Sequence, residues 1–339
     1  MDNIKKILLI VLILAIGINL SACSGKGGFK GLFSKDDDIE IIRSDSEEYD
    51  MTEDEGLRET VLYFKNAEGF LVPVMKKIPW EEGIAKLALK NMIDSPSLRE
   101  SLDQTGLIPI IPAGTEIRGM TIDGETGICK VDFSKEILNY ESEKDEENLI
   151  KGVVYTLTEF PAIKEVQFLI EGNSAPVFKY GMQVNGPMRR EDINLVKNSE
   201  EYRSKVVVYF KGNGNEEFEY FIPVTIPTLA PMPNVFTALE ELFKGPPAEA
   251  SLYSSIPQGV TLEGIEIRDG VAYVDLSFNS IDSINEKYIF DEISKSIGLT
   301  LSEFEKIEKV ELLVEGKTLE EAGIQVDYNE TIPAFANEY

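Results

Sequence analysis

The chain carries an internal duplication. Ile111-Pro112-Ala113-Gly114 answers to Ile256-Pro257-Gln258-Gly259, and Thr156-Leu157-Thr158-Glu159-Phe160 answers to Thr300-Leu301-Ser302-Glu303-Phe304. The two stretches, residues 111–172 and 256–316, close on Val166-Gln167-Phe168-Leu169-Ile170-Glu171-Gly172 and Val310-Glu311-Leu312-Leu313-Val314-Glu315-Gly316. Matched blocks stand about 145 residues apart throughout, the size of one domain, so the chain must fold as two copies of one module.

Hydrophobic periodicity gives the elements of that module. Val61-Leu62-Tyr63-Phe64-Lys65 and Val207-Val208-Tyr209-Phe210-Lys211 are β-branched and aromatic runs, each followed by a turn and a second run at residues 70–74 and 219–224. They predict a hairpin at the head of each copy. Helices follow, with Ile84, Leu87, Ala88 and Met92 on one face of the first, and Val235, Ala238, Leu239 and Leu242 on one face of the second. Asn234 is the expected N-cap of the second helix and Gly245-Pro246 its stop. Strand pairs at 116–122 with 128–133 and at 262–267 with 271–276 turn through Asp123-Gly124 and Asp269-Gly270. A second helix carries Ile150, Val153, Val154 and Leu157, or Phe290, Ile293 and Ile297, and a last strand alternates Val166, Phe168, Ile170, or Val310, Leu312, Val314. The expected fold is α+β: two tandem copies of a small domain, each a mixed β-sheet covered by two helices in the order β-β-α-β-β-α-β. The units span 58–188 and 203–335. The polar linker between them, 189–202, has no Gly- or Pro-rich hinge, which leaves open whether the units are rigidly coupled.

Composition narrows the chemistry. With 33 Lys and Arg against 60 Asp and Glu, the formal charge is −27, so there is no net positive field to draw nucleic acid or anionic lipid headgroups. There is no histidine, which excludes Ser-His-Asp and Cys-His catalysis and the commonest zinc ligand. The cysteines are Cys23 and Cys129, too few for a disulfide framework once the first is processed. Cys129 alternates with Val131 and Phe133 where the second copy has Ala272, Val274 and Leu276, so a buried packing role is expected. Asp132 and Asp275 coincide, each with Ser134 or Ser277 two residues on. A carboxylate-dependent enzyme would use them as catalysts, but their place at a strand end points to hydrogen bonds with the backbone of a turn. Trp80, the single tryptophan, is expected to pack rather than to form a ligand platform. No catalytic, cofactor-binding or metal-ligating set emerges.

The N-terminus makes a specific statement. Lys5-Lys6, the apolar residues 7–18 and then Leu20-Ser21-Ala22-Cys23 form a basic n-region, a short h-region and small residues ahead of a cysteine. This resembles the lipobox of bacterial lipoproteins. It implies a signal peptide over 1–22, diacylglyceryl attachment and palmitate at Cys23, and a membrane anchor on the extracytoplasmic face. In residues 35–56 eleven Asp or Glu face Lys35 and Arg43, so 23–57 reads as a lipidated, solvated tether rather than a calcium loop. As a flexible coil it would stand off about 30–35 Å.

Taken together, the Ile-Pro-x-Gly entry, the strand ending Val131-Asp132-Phe133-Ser134 or Val274-Asp275-Leu276-Ser277, the Thr-Leu-Thr/Ser-Glu-Phe helix end and the closing Val-x-x-Leu-x-Glu-Gly strand resemble the GerM family of sporulation and germination lipoproteins, over residues 58–335. The resemblance implies domains similar to the ring-building domains of the sporulation channel, and a non-enzymatic role in sporulation and later germination. Its expected partners are envelope or sporulation-complex proteins, with a homo-oligomer compatible, in the space between mother cell and forespore. It carries over no catalytic residue. The competing readings are a solute-binding lipoprotein and a carboxylate-dependent enzyme of wall glycans.

Overall fold

A computed structural model describes residues 56–80, 83–174, 177–196, 202–215, 218–279, 287–304 and 306–339; the signal peptide, Cys23 and nearly all of the tether lie outside them. The first repeat runs β1 (Leu57–Lys65), β2 (Leu71–Pro79), α1 (Ile84–Lys90), α2 (Pro96–Leu102), β3 (Ile117–Ile122), β4 (Ile128–Phe133), a 3-10 turn at Lys135–Leu138, α3 (Glu143–Thr158), β5 (Glu165–Ile170) and β6 (Asn173–Ser174). The second runs β7 (Ser204–Asn213), β8 (Glu219–Thr228), α4 (Val235–Lys244), a 3-10 turn at Ala248–Ala250, β9 (Val260–Arg268), β10 (Val271–Phe278), α5 (Lys287–Leu301), β11 (Lys309–Val314) and β12 (Lys317–Thr318). The fold is α+β with the module present twice, as the duplication predicts. Helix α2 and the two-residue strands β6 and β12 are additions to the expected order.

The long helix of each repeat decides the layering. Strand β4 pairs antiparallel with β3 and parallel with β5, and a parallel pair needs a crossover, which α3 provides. The second repeat does the same with β10, β9, β11 and α5. The four-stranded sheets therefore read β3-β4-β5-β6 and β9-β10-β11-β12. Their covered faces are the predicted alternations: Cys129, Val131, Phe133, Val166 and Phe168 are fully buried, as are Ala272, Val274 and Leu276. Helix α3 touches sheet strand β5 on one side and hairpin strand β1 on the other, so it is buried nearly all round, including Asn148, Gly152 and Thr156.

One expectation needs correction. Each repeat holds two sheets instead of one, because the head hairpins β1-β2 and β7-β8 form separate two-stranded sheets on the far side of the long helix. The hydrophobic pattern of β2 and β8 cannot distinguish these arrangements, since both strands are buried on both faces for most of their length. What covers the second face is the other repeat: β2 lies against β8.

Local chemistry sets the helix boundaries. Ser95 and Ser142 cap α2 and α3 by accepting from the backbone N–H of Leu98 (3.2 Å) and Asp145 (3.1 Å). Asn234 caps α4 as predicted, accepting from Thr237 N–H at 2.9 Å, and Gly245 at φ 84° ends it. Helix α1 stops at Lys90, short of Met92, yet Met92 remains in the core.

The turn joining β7 to β8 fits closely against the first repeat. A Cβ on Gly214 would stand 2.2 Å from the carbonyl oxygen of Thr105, whereas one on Gly264 would meet nothing within 4 Å. Gly214→Ala is expected to cost about 1–3 kcal/mol, because backbone must move to admit the methyl. Gly264→Ala is expected to be near neutral; equilibrium urea unfolding of the two variants measures the difference.

Candidate functional site

The residues that the sequence offers as catalytic candidates are engaged in structure. Asp132 Oδ1 accepts from Gly172 N–H at 2.7 Å and Asp275 Oδ1 from Gly316 N–H at 2.8 Å. Each thereby holds the Glu-Gly turn after β5 or β11, whose residues lie at positive φ: Glu171 51°, Gly172 78°, Glu315 52° and Gly316 78°. The backbone role expected from their strand-end position is realised, but on a turn about forty residues away rather than the next one. Ser134 accepts from Glu116 N–H at 3.0 Å, while Ser277 bonds Thr261 and Glu263. Cys129 is fully buried, and burial pushes its thiol up to about 12. Trp80 departs from its expected packing role. Strand β2 ends at Pro79, so Trp80 leaves the sheet half exposed with the Arg58 guanidinium 5.0 Å over its ring. Cys23 lies outside the described residues. Among the described residues no group of three or more carboxylates or cysteines could hold a metal ion, and no helix is long and apolar enough to cross a membrane. A shallow, solvent-open depression near Tyr155, Met182 and Met188 has room for little more than a water molecule and is too slight to enclose a ligand.

The built feature of the molecule is the joint between the repeats. Strands β2 and β8 lie side by side without a backbone ladder, and two buried asparagines stand in for one. Asn194 accepts from Leu71 N–H at 2.7 Å and donates to the carbonyls of Leu71 and Pro223, both at 2.8 Å. Asn337 accepts from Phe221 N–H at 2.8 Å and donates to the carbonyls of Phe221 (2.8 Å) and Pro73 (2.7 Å). Leu71 and Pro73 occupy in β2 the places of Phe221 and Pro223 in β8, so the two clamps are related by a pseudo-twofold axis. Two residues of the expected linker therefore belong to the core: Ile193 and Asn194 are buried, and Thr225 N–H donates to Ile193 O at 3.0 Å. Residues 336–339, past the expected end of the second domain, do the matching work.

The same axis brings two Tyr–Glu pairs together. Tyr63 donates to Glu159 at 3.2 Å and Tyr209 to Glu303 at 3.0 Å, while the backbone N–H of each tyrosine donates to Thr156 or Thr300 at 3.3 Å. Burial, reinforced by the neighbouring carboxylate, holds both phenols well above their ordinary range, so they stay neutral donors. Symmetry fails at the cation. Arg190 pairs with Glu159, donates to Thr158 Oγ1 at 2.7 Å and lies 4.9 Å over the Tyr155 ring. The segment leading to Asn337, residues 331–335, contains no basic residue. Glu303 is exposed as a residue, yet the protein around its carboxyl raises it above the ordinary carboxylate range; the Tyr209 hydrogen bond and the Arg190 charge oppose that rise, and Glu159 adds to it. These groups escape a reading of the sequence alone, although Tyr63/Tyr209 and Glu159/Glu303 sit inside the repeated blocks.

Two surfaces face outward. Strands β3 and β9 are edge strands of the four-stranded sheets, and they carry exposed isoleucines at equivalent places, Ile122 and Ile267. The second repeat adds exposed Leu229, Met232 and Phe236 around the start of α4.

Two outcomes follow from these environments. Because the folded value of Glu303 is raised, its contribution to stability is full below the ordinary carboxylate value and is lost as pH rises through the raised folded value. Glu303→Gln is thus expected to retain melting temperature, relative to wild type, on raising the pH across that window; parallel melting curves at all pH values would contradict this. Cys129 is expected to resist thiol reagents at neutral pH in the native protein and to label at once in denaturant, as read by mass spectrometry.

The comparisons with known proteins agree with this architecture. Residues 61–176 and 207–320, one match in each repeat, fit the family described as "Germane: Sporulation and spore germination". The chain is 30% identical over 289 residues to the spore germination protein GerM of Bacillus subtilis (strain 168), covering 82% of this chain and 77% of that protein. It is similar in structure to the tandem GerMN domains of the sporulation protein GerM from Bacillus subtilis, with a TM-score of 0.69, 26% identity, and coverage of 83% of this chain and 99% of the other. With both repeats matched in order and the tandem arrangement shared, the chain belongs to the Germane (GerM) family.

Proposed function

We propose that the chain is a non-enzymatic envelope protein, lipid-anchored through Cys23, that supports sporulation and germination by binding other envelope or sporulation-complex proteins. Homology to GerM over most of the chain supports the role in sporulation and germination. The observation that carries the binding role is the twofold presentation of one outer sheet, each with an open edge strand, on repeats joined through buried hydrogen bonds. Open edges are natural docking positions for an extended segment. The non-enzymatic reading is supported by the engagement of Asp132 and Asp275 in turn backbones and by the burial of Cys129.

Anchoring at Cys23 follows from the basic n-region, the short h-region and the small residues preceding it, and two acyl chains hold where one is marginal. Cys23→Ala is expected to release the protein from membranes and to abolish palmitate labelling. Deleting the gene is expected to lower spore yield or germination while leaving vegetative growth intact, and crosslinking in sporulating cells to recover envelope proteins. A normal sporulation count from the deletion strain would remove the process assignment, and an empty crosslinking profile the binding role.

A further inference from the structure

The two clamps at the joint are equivalent in chemistry but not in anchorage, and we infer that the segment 336–339 is a releasable strap while its counterpart at 193–196 is the fixed pivot. Both segments lie beside β2 and β8 and satisfy outward-facing backbone groups of the hairpins. Ile193 O accepts from Thr225 N–H (3.0 Å) and Asn194 Oδ1 from Leu71 N–H (2.7 Å); on the other side Asn337 O accepts from Met75 N–H (2.8 Å) and Asn337 Oδ1 from Phe221 N–H (2.8 Å). Their apolar anchors differ. Ile193 is 3% exposed and belongs to the main core cluster that runs through both repeats. Ala336 belongs to a small satellite cluster with Phe221 and Leu299, against which Tyr209 packs. A methyl in a three-residue cluster offers far less buried apolar surface than an isoleucine in the main core, so the second strap opens first.

Chain topology points the same way. Asn194 lies on the segment that joins β6 to β7, between the two repeats. Asn337 follows the last strand of the second repeat, outside the connections between the strands of either repeat. Further contacts of the strap are the Glu338 bridge to the buried Met75, the Tyr339 ring 4.6 Å from that of Phe218, and Lys76 6.0 Å over Tyr339. Tyr339 itself is 42% exposed. Opening this strap frees the carbonyls of Pro73 and Phe221 and leaves Asn194 as the remaining carboxamide bridge between the hairpins, so the angle between the outer sheets is released without unfolding either repeat. Strap opening is a property of the joint and holds whether or not the outer edges bind partners.

Native-state hydrogen exchange on the full chain tests this at four named amides. Met75 and Phe221, guarded by the strap, are expected to exchange about tenfold or more faster than Leu71 and Thr225, guarded by the pivot, because local opening of a weakly anchored segment needs less free energy than opening of the core. Ala336→Gly is expected to widen that gap by accelerating Met75 and Phe221 alone. Asn337→Ala should strip protection from Phe221, whose acceptor is the side-chain Oδ1, should speed Met75 only by loosening the strap because its acceptor is the retained main-chain carbonyl, and should leave Leu71 and Thr225 unchanged. Equal exchange at all four sites in the wild type would overturn the assignment, as would a variant that unprotects all four together.

Discussion

The structure depends on how two buried strands satisfy their backbones. Strands β2 and β8 lie side by side between the repeats without a regular ladder, and unpaired N–H and C=O groups there would cost about 1–3 kcal/mol each. Two carboxamides resolve this. An asparagine side chain presents one acceptor and two donors in a plane, much as a peptide group does, so Asn194 and Asn337 each act as a one-residue strand inserted between the hairpins. Neither aspartate nor leucine could replace them: a carboxylate would oppose the Pro73 and Pro223 carbonyls, and an alkyl chain would leave every partner unsatisfied.

Placing the clamps on a pseudo-twofold axis has consequences elsewhere. It directs β1 and β7 against the long helices and turns the four-stranded sheets outward, so one surface is presented twice. It also forces equivalent ends of α3 and α5 toward each other, which brings Glu159 and Glu303 near a single arginine. A duplicated module thus generates its own electrostatic problem at the joint, and Arg190 resolves it on one side only. The asymmetry is the kind that divergence after duplication leaves behind: fold positions stay matched while charged positions at the contact differ.

Much of this was legible without coordinates. Strand alternation in Cys129-Lys130-Val131-Asp132-Phe133 assigns the covered face, and the same period in Val166-Gln167-Phe168 assigns that of the closing strand, whereas the pairing of these two strands is a finding of the structure. Asn234 ahead of an apolar stripe marks a helix start because its side chain can take one of the free N–H groups. Strand-end Asp132, Asp275 and Ser134 serve backbone as their position predicts, whereas Ser277 bonds the side chains of Thr261 and Glu263. Trp80 is exposed because β2 ends at Pro79, a boundary that propensity locates poorly. The hairpins stand apart from the four-stranded sheets, and a strand buried on both faces gives no sign of which neighbour buries it.

The sequence by itself determined the number of modules, the order of their principal elements, the inward alternation of β4, β5, β10 and β11 and the net charge of −27, since each follows from periodicity and residue chemistry over short spans. Only the tertiary structure decided how the modules join. Asn194 reaches a partner 123 residues away and Asn337 partners 116 and 264 residues away, and no local pattern encodes which buried edge an amide will complete. Backbone satisfaction is a requirement that every strand carries, but the groups that meet it are selected by packing in three dimensions, and there Ile193 and Asn194 of the polar linker and Ala336 and Asn337 beyond the second module became part of the core.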